Sequence, residues 1–256
     1  MPSNCHNAVR VLRCAEAIYI LKQRLEDETL DFFLRGAREE YATSYLLHSL
    51  VGENNLPKSA DRLTIESSRL KSKCGNNRQG KKIRNFHSAY KFLFGSQKRA
   101  FSSDLVCKLH RRLMSGLLRN AGCFRVKDAK PAGSIGIYYS TPACIRNEMK
   151  NLFINLENFW KDAGTFAARV AVAAWFYTQF LTIHPFSNGN GRLGRLLLSR
   201  LLLPDTGVPI FICKHYDVVH ALESFRFEST YDPILEIIFD SCFASVSHML
   251  FLLDAG

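Results

Sequence analysis

A chain of 256 residues with 47% hydrophobic content can bury a substantial core, which excludes an intrinsically disordered protein. The formal net charge of +11 is unevenly spread, because residues 69–127 carry 16 Lys or Arg against a single acid, Asp104. Eight cysteines, at positions 5, 14, 74, 107, 123, 144, 213 and 242, form no C-x-x-C pair, so neither a zinc site nor a dithiol redox motif is indicated, and a reducing, cytoplasmic compartment is expected.

No signal peptide is expected at the start of this sequence, since Val9 to Leu25 is interrupted by Arg10, Arg13, Glu16, Lys22 and Arg24. Residues 1–26 read as an N-terminal helical extension, with Val9, Leu12, Ile18, Leu21 and Leu25 as its apolar positions. A second helix is expected from Thr29 to Leu50, with Phe32, Phe33, Tyr41, Tyr45, Leu46 and Leu47 as the buried set. Gly75-Asn-Asn-Arg-Gln-Gly-Lys-Lys82 superficially resembles a P-loop. However, Lys82 stands where a Mg²⁺-binding hydroxyl is required and no buried strand precedes it, so a surface loop is expected. The surrounding basic block reads equally as a steering field for an acidic protein, nucleic acid or anionic membrane, and as a solvated face with some attraction for nucleotide.

Helical spacing resumes over Ile83–Phe94, and Ser102-Ser-Asp104 is an N-cap cluster for a helix over Leu105–Leu118. His110 within it reads as a half-buried structural histidine. Residues 122–142 are rich in turn formers and contain Ile137, Tyr138 and Tyr139, which suits a short β-hairpin. Another helix is expected over Cys144–Lys161. Thr165–Ile183 is apolar enough for a helix buried on most of its circumference. Pro204–Pro209 reads as a turn, and a further helix starts near Val218. Ala171–Ile183 is too short to span a bilayer, and Ile234–Leu253 carries Glu236, Asp240 and His248; both are expected to be core helices.

The densest chemistry lies in His184-Pro-Phe-Ser-Asn-Gly-Asn-Gly-Arg-Leu-Gly-Arg195. Pro185 stops the preceding helix, Gly189-Asn190-Gly191 forms a permissive loop, and Arg192–Leu203 is helical in pattern. The loop therefore opens on a helix N-terminus, where free N–H groups and the helix dipole attract anions. Arg192 and Arg195, three apart, can reach one polyanion, and His184 titrates in the range suited to a general base.

This string resembles the signature of the Fic family, H-x-F-x-(D/E)-G-N-G-R-x-x-R. The resemblance implies an all-α, Fic-like helical core with one small β-hairpin flap, spanning residues 27–256. It implies transfer of AMP from ATP to a Ser, Thr or Tyr hydroxyl of a protein. His184 would deprotonate that hydroxyl, Phe186 would anchor the loop, Gly189, Asn190 and Gly191 would cradle phosphates with Arg192, and Arg195 would meet the γ-phosphate. The resemblance also implies Mg²⁺ as cofactor beside ATP, helping to hold the pyrophosphate; Asn188, where the family carries the carboxylate ligand, would be its ligand here, though an amide is a weaker one.

Gly122-Cys-Phe-Arg125 resembles the start of the family's flap, whose edge (here Ile137, Tyr138 and Tyr139) would hold the target by strand addition. Ser49-Leu-Val-Gly-Glu-Asn54 resembles the family's inhibitory pattern, so in a helix over about 29–54 Glu53 would pair with Arg195. Glu66 is the competing candidate. Relatives often place Tyr-Tyr where this chain has Val218-Val219, with Tyr216 as a substitute for lining the base pocket. Removal of AMP, with Glu53 positioning water, and a nucleotide- or protein-binding module weakened at Asn188 are the alternative readings. The expected partners are a nucleotide and a protein substrate, with a homodimer as a possible assembly and neither a stable nucleic-acid complex nor a membrane span. A cytoplasmic enzyme and a secreted effector acting in a host cytosol look alike at this level.

Overall fold

The structure, a computed structural model, describes residues 2–26, 31–52, 78–95, 100–129, 138–212 and 215–255. Among them the helices are, in order, α1 (Pro2–Glu26), α2 (Asp31–Gly52), α3 (Arg78–Phe94), α4 (Ser103–Leu113), α5 (Ile145–Asp162), α6 (Phe166–Ile183), α7 (Asn190–Thr206), α8 (His215–Glu228) and α9 (Asp232–Asp254). The fold is all-α, with no strand among the described residues. Of the expected hairpin, residues 130–137, including Ile137, lie outside the described residues, and the flanking 122–129 and 138–142 are turns and coil.

Helices α6 and α7 lie at the centre. In α6, Phe176, Tyr177 and Phe180 are fully buried, and the helix packs on α5, α7 and α9. In α7, Leu193, Leu196, Leu197, Leu198 and Leu202 point in several directions yet all are buried, because α2, α3, α4 and α6 surround it. Helices α6 and α9 are long and apolar enough to cross a membrane, and both place fully buried side chains in this core.

Helix α1 lies along α9, and its buried stripe is Cys14, Ala17, Ile18 and Leu21. The expected apolar positions Val9 and Leu12 are instead exposed, because contact with α9 selects the stripe. Arg10 reaches Glu236 and Asp240 at the rim, at 3.2 and 3.1 Å. Such exposed pairs contribute little beside the buried apolar side chains.

Three boundaries differ from expectation. Helix α3 begins at Arg78, so Arg78–Lys82 is helical and not surface loop; Gly80 and Ile83, buried on one side of it, hold this first turn to the core. Helix α4 starts as expected, with the Ser102 hydroxyl accepting the Leu105 N–H at 3.2 Å. It ends at Leu113, five residues early, because the N–H groups of Leu117 and Leu118 turn back to the Met114 carbonyl. Helix α7 runs through Pro204 to Thr206, where a turn was expected. Asp205 pairs with Arg169 at 2.7 Å, and the Thr206 hydroxyl lies 3.0 Å from the Leu202 carbonyl, so side chains hold the turn weakened by proline.

Candidate active site

The loop between α6 and α7 hangs from one arginine. Helix α6 ends because Pro185 follows, and His184 takes a left-handed backbone (φ 50°, ψ 59°), uncommon for a residue with a side chain. The last carbonyls of a helix need partners. Arg125, 3% exposed, supplies them: its Nε donates to the His184 carbonyl at 2.8 Å and its Nη2 to that of Ile183 at 3.3 Å. Its backbone N–H donates to Pro185, and its remaining bonds reach the carbonyls of Lys127 and Ser140. A buried cation at a helix C-terminus also complements the dipole. Arg125 thus ties both flanks of the flap region to the residue carrying the imidazole.

The floor of the loop is an aromatic stack. Phe186 is fully buried and lies face to face with His110, ring centroids 3.8 Å apart and planes 10° from parallel. His110, read from sequence as half-buried, is wholly inaccessible. Its Nδ1 accepts the Gly122 N–H at 2.8 Å, so Nε2 carries the proton and donates to the Asn188 carbonyl at 2.9 Å. Burial pushes its pKa down to about 4, against a smaller opposing effect of the Asn188 bond. A neutral imidazole therefore braces the loop against α4. Gly122 fits beneath it at φ 86°, where a Cβ would come within 2.9 Å of the Arg111 Cβ.

Asn190 closes the loop from the other side. Its Oδ1 accepts the Phe186 N–H at 3.0 Å, and its Nδ2 donates to the Phe186 carbonyl at 2.7 Å. The expected phosphate contact at Asn190 therefore falls to its backbone N–H, since the side chain is spent within the loop. Gly189 is the N-cap of α7 at φ 85°, and a Cβ there would lie 2.9 Å from Met114 Sδ. The first intrahelical bond runs from the Leu193 N–H to the Gly189 carbonyl. The N–H groups of Asn190, Gly191 and Arg192 at the head of α7 thus have no acceptor within the helix.

Above this floor the His184 ring stacks on Tyr139, 3.8 Å between centroids and 12° from parallel. Arg226 of α8 lies 5.6 Å from the Tyr139 ring centre. Burial depresses the His184 pKa to about 4; the Leu181 carbonyl opposes this, and the charges of Arg125 and Arg226 reinforce it. The imidazole is neutral at physiological pH. Tyr138, by contrast, is 77% exposed.

The two motif arginines, 4% and 2% exposed, diverge. Arg195 lies near Tyr45 of α2, against which Ser49 is also buried. Glu53 and Glu66 lie outside the described residues. Arg192 faces α3 and α4: its Nη2 lies 3.3 Å from Met114 Sδ and 3.4 Å from Asn188 Oδ1, and its Nη1 is buried without a hydrogen-bond partner. Burial, then the charge of Arg78, lowers its pKa to about 10.

These residues do not suit Mg²⁺. The Asn188 carbonyl is engaged by His110, its amide oxygen faces a guanidinium, and no cluster of three His, Cys, Asp or Glu side chains occurs among the described residues. A hard divalent ion here would meet a neutral ligand beside a cation.

Residues 100–202, from α4 to α7, match a family model described as the Fic/DOC family. A Fido domain-containing protein of Dictyostelium discoideum is 32% identical over 118 residues, which are 46% of this chain and 78% of that protein. A Fic domain-containing signaling protein of Bacteroides thetaiotaomicron has a similar fold, with a TM-score of 0.78 at 15% identity over 94% of this chain and 98% of its own. The VirB-translocated effector BepC of Bartonella tribocorum, with bound AMPPNP, matches with a TM-score of 0.56 at 16% identity, over 75% of this chain and 97% of its own.

Proposed function

The chain belongs to the Fic/DOC family, and from that premise we propose that it is a protein adenylyltransferase, moving AMP from ATP to a Ser, Thr or Tyr hydroxyl of another protein. The observation that carries this reading is the position of a neutral, half-buried imidazole, His184, at one end of a short loop whose other end is a helix N-terminus with N–H groups unpaired within the helix and two buried arginines. A base for a hydroxyl and a receptor for polyphosphate are thereby held at the two ends of one loop. The AMPPNP bound to the Bartonella relative supports a nucleotide as the anion.

In the proposed reaction His184 accepts the proton of the target hydroxyl, whose oxygen attacks the α-phosphorus. The bond to the bridging oxygen breaks and pyrophosphate leaves, its charge held by the N–H groups of α7 and by Arg192 and Arg195. No step is routed through a metal ion. Tyr139 covers the imidazole, so docking of a target at the flap would displace it. Losing that cover would move the His184 pKa up from about 4 towards the usual 6.5 and make it a stronger base.

Auto-inhibition belongs to the same proposal. Helix α2 ends beside α7, and Glu53 follows its last residue. A Glu53–Arg195 pair worth about 1.5 to 3 kcal/mol would bias the site roughly 10- to 150-fold against productive ATP. Intact-mass analysis of lysate proteins incubated with the purified protein and ATP tests both parts. A gain of one AMP, increased by Glu53→Gly and abolished by adding His184→Ala, is expected. No adduct with either the wild type or Glu53→Gly rejects the transferase; an adduct that Glu53→Gly leaves unchanged rejects only the inhibition.

A further inference from the structure

The buried guanidinium of Arg192 is not alone. Arg78 opens α3 and Lys82 follows one turn later, which puts both on one side of a helix that packs against α7. Arg78 opposes the charge of Arg192, and Lys82, itself half-buried, is opposed by Arg192 and then Arg78. Like charges gathered around a desolvated, unpartnered Nη1 are unfavourable in the empty protein, so the cluster makes sense as one half of a complex with an anion. Among the described residues, Met114, Asn188, Arg78, Lys82 and His110 lie against Arg192, and none of these is acidic.

We propose that Arg78 and Lys82 of α3 join Arg192 as a second wall of the phosphate site, and that these cations neutralise the polyphosphate of the nucleotide in place of a metal ion. The inference rests on the nucleotide-binding part of the reading above and goes beyond it. Arginine and lysine clamps and Mg²⁺ are alternative ways to hold the charge of a phosphate chain. A carboxylate at position 188 would favour the metal by bringing a hard anionic oxygen. With an amide there, the site loses that ligand for the ion, and the guanidinium 3.4 Å away supplies positive charge in the ion's stead. Helix α3 then supplies charges that the twelve-residue loop lacks. Its first turn lies more than a hundred residues away in sequence, at the start of what reads as a solvated basic block.

Calorimetric titration with inorganic tripolyphosphate, in EDTA and in excess Mg²⁺, tests the proposal without requiring catalysis. The expected result is binding in EDTA with an affinity within about threefold of that in Mg²⁺. Arg78→Gln with Lys82→Gln should weaken it at least about tenfold, while Lys91→Gln, exposed at the far end of the same helix, leaves it unchanged. Both sets of variants change exposed or half-buried positions, and unaltered circular dichroism and thermal midpoints would show that the fold is kept. Asn188→Asp provides the reciprocal case: its carboxylate would pair with Arg192 in EDTA and recruit Mg²⁺ when present, so binding should become metal-dependent by about tenfold. Binding that requires Mg²⁺ in the wild type, or that survives the double substitution intact, overturns the proposal and leaves the nucleotide reading standing. Absence of binding in both buffers overturns the two together.

Discussion

At its His184 end the loop has its polar groups bonded within the protein, whereas at its Arg192 end one buried guanidinium has few acceptors and faces the cations of α3. Arg125 satisfies the carbonyls of Ile183, His184 and Pro185, and His110 and Asn190 satisfy the next turn of chain. Arg192 has only a thioether and an amide oxygen at long distances, and Arg78 adds to its charge. In the reading proposed above, the end assigned to the reacting group is the one held by hydrogen bonds, and the end assigned to the anion is the one left short of partners.

The largest test of this contrast is to remove the two histidines one at a time. His184→Ala should lower transfer roughly 10²- to 10⁴-fold while tripolyphosphate binding stays as in the wild type. Equal loss of binding and transfer would show that the two ends are not separable.

His110→Ala should do the converse to stability. It empties space beside Phe186 and strands the Gly122 N–H and the Asn188 carbonyl, at a cost of about 2 to 5 kcal/mol in urea unfolding. A change below about 0.5 kcal/mol would mean that the loop does not depend on this brace.

Acid sharpens the same comparison. Both imidazoles fall from the usual 6.5 to about 4 on folding, because burial disfavours their charged forms. The unfolded chain therefore binds more protons between those values, and stability must fall as pH drops. The contribution is fully present above about 6.5 and lost through about 4, and amounts to as much as roughly 3 kcal/mol per histidine. His110→Ala should flatten that slope by its own share. A slope identical in the wild type and both single variants would remove the histidines as its cause.

The smallest effect concerns Tyr139, which shields the base and touches no phosphate group in the proposed reaction. Tyr139→Ala should move the His184 titration, followed by NMR, from about 4 towards 6.5, without changing tripolyphosphate affinity. A titration that stays near 4 would assign the shift to the rest of the protein around the ring and to the charges of Arg125 and Arg226.

Much of the loop was legible in the sequence because its chemistry is local. Pro185 disfavours continuation of the helix before it, Gly189 suits a left-handed N-cap, and the apolar run before them requires burial wherever it goes. The same locality explains the N-cap at Ser102 and the all-α class. What misled was context. Pro204 is a good turn residue, yet α7 passes through it because Asp205 and Thr206 find partners elsewhere in the fold. Val9 and Leu12 have helical spacing, yet α9 covers the other stripe of α1.

The residue types and spacing of the sequence determined the class of fold, the place of the loop and the kinds of group it carries, since these follow from backbone preferences and burial acting over a few residues. Only the tertiary structure decided which groups are spent on structure and which are left with few partners. Asn190 and Asn188 are two residues apart and chemically identical, but one is locked into the Phe186 backbone and the other stands exposed beside a guanidinium. Arg125, His110 and Arg78 act on the loop from 59 to 114 positions away from the residues they serve. Desolvation and charge depend on which atoms surround a group in space, and that arrangement leaves no periodic trace along the chain.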